Sequence, residues 1–381
     1  MPKIFDTIII GAGIAGATLA YTLTQQNQKV LVLDKKGIAS GGSGAAGAFV
    51  SPKIGKGSPL QKLTNEAFSF AKDFYLATCP KHFHQTGVIR IPKDEADAQK
   101  FSEYEAYNDN VYEKYSQAQL RAEGIDTNFE SFFFPEAGDC DAIAVCEYLL
   151  QDISMEICEV EKIAFMDEMW VCIPTQESGN EYLQTYRAKN IILATGHESD
   201  LLDLRYMGIR ATWGTRGDFS SSLDLEVSMH QAMSIGANIE GIIKLGATHE
   251  KEIKAVVSCQ EEQALLLKEK ASSLIDVSDL VLKKSFCGMR AGSKDYFPLL
   301  GKVIDVPLML ERYPKVLRGA KPDLLYVEKL YVLNGLGGRG FVFAPLMAEW
   351  LAQHIVEGKE VDKRVHADRL FYKWARKINN N

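Results

Sequence analysis

The chain has 381 residues, 46% apolar and 24% charged, too long for one small core and ordinary for a globular α/β protein of one elaborate domain or two adjoining ones. A formal net charge of −7 argues against indiscriminate nucleic-acid binding. Seven cysteines, an odd number with no CxxC pair, argue against zinc and disulfide frameworks and fit a reducing cytoplasm. No apolar run approaches the ~18 residues of a membrane span.

The N-terminus reads as a strand, not a signal peptide, because Asp6 interrupts its short apolar stretch. That strand, IFDTIII (4–10), runs into Gly11-Ala12-Gly13-Ile14-Ala15-Gly16, a helical pattern, and a second buried strand, VLVLD (30–34). A bare GxGxxG is weak evidence. At a strand-to-helix turn, with Asp34 ending the second strand, it reads as a dinucleotide site. Gly11 permits the tight turn, Gly13 admits a pyrophosphate, and Gly16 lets the helix pack on the strand. The helix N-terminus adds partial positive charge, and Asp34 would accept from a ribose hydroxyl.

The run ASGGSGAAGAFVSP (39–52) is nearly all Gly, Ala and Ser, a composition usual for linkers. Lying between Asp34 and an amphipathic helix at 59–78, it reads instead as a wall moulded on a long cofactor such as FAD, through Ser43, Gly44, Ala45 and Gly47. The aromatics of 104–134 read as core. A helix follows at 140–153, then short strands around Cys172 and in EYLQTYRA (181–188), and then a strand closing in Ala194-Thr195-Gly196-His197. QEEQALLLKEKASSLI (260–275) reads as a helix. Arg290, in GMRAGSKDYFPLLG, is flanked by small and apolar residues and should point inward to meet an anion. The turn Gly337-Gly338-Arg339-Gly340 feeds a helix opened by Pro345 and stopped by Gly358, and would place a positive dipole against the reduced flavin. Residues 363–381 carry six Lys or Arg against one Asp, either a solvated helix or a phosphate-binding tail.

Together, GAGIAG, Asp34, ASGGSGAAG, ATGHES, GMRAGSKDYFPLLG and GLGGRGFVFAP resemble the FAD-dependent amine oxidases that include D-amino acid, glycine and sarcosine oxidases. The resemblance implies a Rossmann-like, glutathione-reductase-like FAD-binding domain (1–80, 137–206 and 286–381) interleaved with an α+β substrate domain built on an antiparallel sheet (81–136 and 207–285). Within the family the chain looks most like flavoenzymes that finish a modified wobble uridine in tRNA. By that likeness the substrate is 5-carboxymethylaminomethyl-uridine, an N-substituted glycine. Its oxidation and hydrolysis would give glyoxylate and an aminomethyl uridine, on which a separate methyltransferase would act. Arg290 matches the family arginine that holds the substrate carboxylate. No side-chain base is required if the amine enters neutral, and His249 is the residue singled out should there be one. Ala45 and Ala46 stand where those relatives carry larger polar residues. The competing expectations are an oxidase of a free small amine and a flavin-bound tRNA-binding protein without turnover.

Overall fold

The computed structural model describes residues 3–175, 185–198, 201–251, 253 and 257–378. Its first sheet has a parallel centre in the order Ser154–Ile157, Val30–Asp34, Ile4–Ile10, Tyr186–Leu193. Tyr186–Leu193 then forks. Its first residues pair antiparallel with Met169–Pro174, and its last pair parallel with Tyr326–Asn334. Residues 181–184 of the expected strand EYLQTYRA lie outside the described residues, as does Ser199 of ATGHES.

Continuous apolar runs make the central strands buried on both faces, as a parallel sheet requires. Ile9 and Val32 face a core shared with helices Ile14–Gln25, Pro59–Thr78 and Gly340–Glu357. Ile8, Ile10, Leu31 and Leu33 face the opposite core, closed by Tyr206 and the C-terminal helix Phe371–Ile378. Pro59–Thr78 has the bounds its periodicity predicts, with Ser58 capping the amide of Gln61 and proline at the first position.

Among the described residues the second sheet has eight strands, mostly antiparallel, beginning Val281–Gly292, Arg210–Ser220, Ile242–Gly246. Helix Glu261–Ala271 packs on it through Ala264 and Leu267. Residues 286–292, grouped by sequence with the first unit, thus pair within the second sheet. Phe101, Phe132 and Phe134 are buried with Tyr104 and Tyr112 packed against them, a core role for these aromatics. A small sheet of Phe49–Val50, Gly138–Cys140 and Phe83–His84 is tied to the second sheet by Lys244, whose ammonium donates to Asp139 (3.1 Å) and Asp141 (2.8 Å).

Two expectations are corrected. The last long helix begins at Gly340, after a 3-10 turn at Gly337–Arg339, so Pro345 lies inside it. Cys259 and Cys287 form a disulfide across a Cα–Cα distance of 5.6 Å. That pair, 28 residues apart, is made by tertiary packing of a loop on a strand and has no local motif, and it removes the support that cysteine usage lent to a reducing compartment. No helix among the described residues is long and apolar enough to cross a membrane.

Candidate active site

Where the ends of the first sheet's strands meet the second sheet there is a cavity of about 590 Å³. Gly11, Gly13, Asp34, Ser43, Gly47, Thr195, Gly196, Gly337, Gly338, Gly340, His249 and Arg290 all line it, bringing most of the sequence-predicted site together. Gly16, Gly44, Ala45 and Arg339 do not. A Cβ at Gly16 would sit 1.9 Å from the Gly11 carbonyl oxygen, and one at Gly44 would sit 2.3 Å from that of Ala39, so both are small for packing reasons. Arg339 faces a neighbouring cavity.

Gly11 has φ +116°, and a Cβ there would lie 2.3 Å from the Ala194 carbonyl oxygen. Only glycine allows the two strand ends this approach. Asp34 is held by three amides: Ala12 donates to one oxygen (2.8 Å), Lys36 and Gly37 to the other (2.8 and 2.9 Å). Its carboxylate therefore shapes the glycine turn besides presenting lone pairs to the cavity. Ser43 Oγ accepts the Ile14 amide (2.9 Å) at the first helix's N-terminus.

The Gly/Ala run is ordered, and for a reason besides the cavity. The strand carrying Arg290 lies backbone to backbone against it: a Cβ at Gly42 would be 2.6 Å from the Met289 carbonyl oxygen, and one at Gly288 2.8 Å from that of Gly41. Arg216, buried, reaches in from the second sheet. Its Nη1 donates to the carbonyls of Gly44 (3.3 Å) and Ala46, while its other nitrogens pair with Asp218 (2.8 and 3.2 Å). The guanidinium stacks on Phe286, 4.1 Å from the ring centroid.

Arg290 points inward as expected. Nη2 donates to the Thr248 carbonyl (3.0 Å), and Nη1 is buried without a partner among the described residues. Burial lowers its pKa from the ordinary guanidinium value. Room for the head is made by Gly214, where a Cβ would fall 2.0 Å from Nη2. His249 and His230 line the same cavity, and each is held toward its neutral form. For His249 the causes are burial and then Arg290; for His230 they are burial, then Arg90 and Arg339. Asn334, also buried, donates to the Gly196 carbonyl (2.7 Å) and accepts the Gly335 amide (2.8 Å), joining two cavity-lining turns. Sequence reading missed Arg216, Gly214, His230 and Asn334. For Gly214 and Asn334 a signal existed, a glycine inside a strand and a polar residue ending one.

The model of the family described as FAD dependent oxidoreductase matches residues 6–354. The chain belongs to this family. Among its relatives this FAD-dependent oxidoreductase is 25% identical, over 96% of its own length and 58% of the other's, to the "tRNA 5-methylaminomethyl-2-thiouridine biosynthesis bifunctional protein MnmC" of Marinobacter nauticus. To the protein of that name from Leptospira interrogans it is 27% identical, over 98% and 62% respectively. The chain thus spans about three fifths of the length of these curated relatives. Its fold is similar to glycine oxidase from Geobacillus kaustophilus, with TM-score 0.74 and 18% identity over 94% of this chain and 96% of that one.

FAD is the family's cofactor, and the residues present fit it. The cavity is lined by Asp34, by Gly11 and Gly13 of the glycine turn, by Ser43 and Gly47 of the small-residue wall and by Gly337, Gly338 and Gly340 of the last turn. Asp34 and Ser43 would hold the nucleotide end, and the Gly337–Gly340 turn the ring end.

Proposed function

We propose that this flavoprotein oxidises the N-substituted glycine of 5-carboxymethylaminomethyl(-2-thio)uridine at the tRNA wobble position, giving aminomethyl uridine and glyoxylate. The observation that carries the reading is the buried Nη1 of Arg290 at the cavity wall, unpaired among the described residues. A guanidinium left half-paired in a buried site favours a carboxylate ligand, bound by two parallel N–H donors. So held, the glycine CH2 is fixed in one orientation. When bound, FAD supplies the two-electron acceptor.

His249 and His230, kept toward neutrality, add no cationic repulsion to an entering amine, which fits an amine that enters neutral and needs no side-chain base. The Gly337–Gly340 turn, opening the long helix, would stabilise negative charge on the flavin's pyrimidine edge. The sequence-derived division stays part of the proposal, with 1–80, 137–206 and 286–381 serving FAD and 81–136 and 207–285 the substrate.

Support for an RNA-borne substrate comes from the relatives named above and from a surface. Lys294 lies four residues beyond Arg290, and its pKa is lowered by Lys377, then Lys373 and Arg210, so four cations share one exposed patch. Acting on tRNA would place the protein in the cytoplasm, with a separate methyltransferase to use the product.

The deciding experiment is nucleoside mass analysis of tRNA from cells lacking the gene. Accumulated 5-carboxymethylaminomethyl uridine, converted by purified wild-type protein and not by Arg290→Ala, is the expected result. Unchanged tRNA nucleosides, with purified protein consuming glycine or sarcosine, would make it an oxidase of a free small amine.

A further inference from the structure

Beside the flavin cavity lies a second one of about 430 Å³, which shares with it Phe49, His230, Ser234 and Leu336–Gly338. Three cations line it: Lys53, Arg90 and Arg339. Arg339 donates one nitrogen to the Ser51 carbonyl (3.1 Å). Among the described residues neither the Arg90 nor the Lys53 head has a hydrogen bond, and none of the three heads has an ion-pair partner. The carboxylate Arg90 feels is Asp97, which already accepts the Lys93 amide (3.2 Å).

The result is a knot of like charge in a recess. Burial, then Arg339, pushes Arg90 down to about 9, and burial brings Arg339 down to about 10. Lys53 is lowered by burial, then by Arg339 and Arg90. Uncompensated positive charge out of bulk water is costly, and proteins tolerate it where an anion arrives to meet it. Arg290 is a separate centre. It lines the first cavity and not the second, and its own shift comes from burial alone, with no contribution from the three cations. His230, with Nδ1 2.8 Å from Ser234 Oγ, stands on the wall between.

We infer that the second cavity is an anion subsite, which takes a carboxylate or phosphate carried on the substituent of the substrate nitrogen while Arg290 takes the carboxylate of the glycine unit. This rests on the placement of the amine proposed above. It makes the site selective for amines acidic on both sides of the oxidised C–N bond. Exposed Tyr296 lies at the cavity's lip, two residues from Lys294 of the basic patch. A nucleotide drawn from that patch would bring its phosphate to the recess.

The test uses the FAD-loaded protein with Arg90→Gln and, should that strand position fold poorly, Lys53→Met. Inorganic phosphate should raise the thermal midpoint of the wild type, and the rise should be lost in either variant. The ratio of kcat/KM for iminodiacetate to that for sarcosine, which lacks the second acid, should fall about tenfold or more. Uridine monophosphate binding more tightly than uridine, with the difference abolished in the variants, identifies a nucleotide phosphate as the anion. A response to iminodiacetate without that difference identifies a small dicarboxylic amine. A constant ratio together with phosphate stabilisation that ignores both substitutions overturns the subsite. If neither amine is oxidised, the proposed chemistry fails, but the phosphate shift still reads the subsite.

Discussion

Tyr75, on helix Pro59–Thr78, donates its phenolic O–H to the backbone carbonyl of Phe341 at 2.9 Å. Phe341 is the carbonyl that residue 345 would bond in a regular helix, and residue 345 is proline, which has no N–H to give. The tyrosine thus satisfies the acceptor that the proline orphans, deep in the core behind the Gly337–Gly340 turn. This exchange explains why the helix passes through Pro345 instead of starting there.

Removing only the hydroxyl, Tyr75→Phe, should cost about 1–3 kcal/mol, the desolvation penalty of an unpaired buried carbonyl. In urea the midpoint should fall with an unchanged m value. Pro345→Ala should rescue much of the loss, because alanine restores the missing N–H. The two effects should therefore be non-additive. Additive losses in the double variant would mean that the tyrosine matters only for its packing.

A second relationship sets the substrate end. Gly214 leaves the space in which the Arg290 head lies, and Arg290 Nη2 rests on the Thr248 carbonyl. In Gly214→Ala the new Cβ meets first the movable end of the Arg290 side chain (2.0 Å) and then the Thr248 carbonyl oxygen (2.8 Å), so the fold should hold with a small local shift of the backbone at Thr248. The substitution should displace the guanidinium from its fork geometry. Loss of about 2 kcal/mol of charge-assisted pairing corresponds to roughly thirtyfold in kcat/KM for an N-substituted glycine. Flavin absorbance should remain. In an Arg290→Ala background the same substitution should cost little more. An equal loss in both backgrounds would show that Gly214 acts on something other than Arg290.

Much of the dinucleotide half was legible because it is local. The strand, the glycine turn, the helix and Asp34 occupy one unbroken stretch; Gly16 answers a contact within it, Gly13 one with Ser43 in the loop that follows, and Gly11 one with Ala194 at the end of a neighbouring strand. The helix at 59–78 was legible because proline, Ser58 and a sustained apolar face agree. What escaped reading is made by sheet pairing. Arg216 reaches carbonyls 172 and 170 positions away, and Asn334 one 138 away. Sequence also gave Gly44 and Ala45 to the cofactor; neither lines the cavity, Gly44 lying against the Ala39 carbonyl and Ala45 being buried. The cation cluster was invisible for the same reason: Lys53, Arg90 and Arg339 stand in three unrelated segments until the sheets close.

The basic tail was legible as charge but not as a surface. Of its six cations, Arg364 pairs with Asp362 (2.7 Å) and Glu66 (3.2 Å), and Arg369 with Asp295 (2.7 Å) and the carbonyls of Pro298 and Phe297. Both are bound into the fold. Helix Phe371–Ile378 buries Phe371 and Ala375, leaving Lys373 and Lys377 beside Lys294, which no reading of the tail could have included. If Lys294, Lys373 and Lys377 each meet a phosphate, replacing all three by alanine should flatten the slope of log K for tRNA against log salt by about 2–3 units. Oxidation of the free modified nucleoside should suffer far less than that of tRNA, because Arg290 and the flavin cavity are untouched. Arg369→Ala should behave differently, destabilising the fold without a comparable change in slope, since its guanidinium is spent on Asp295 and three carbonyls. The measurement is tRNA affinity across a salt series beside nucleoside turnover. An unchanged slope in the triple variant would return the helix to an ordinary solvated face and leave a free small amine as the simpler substrate.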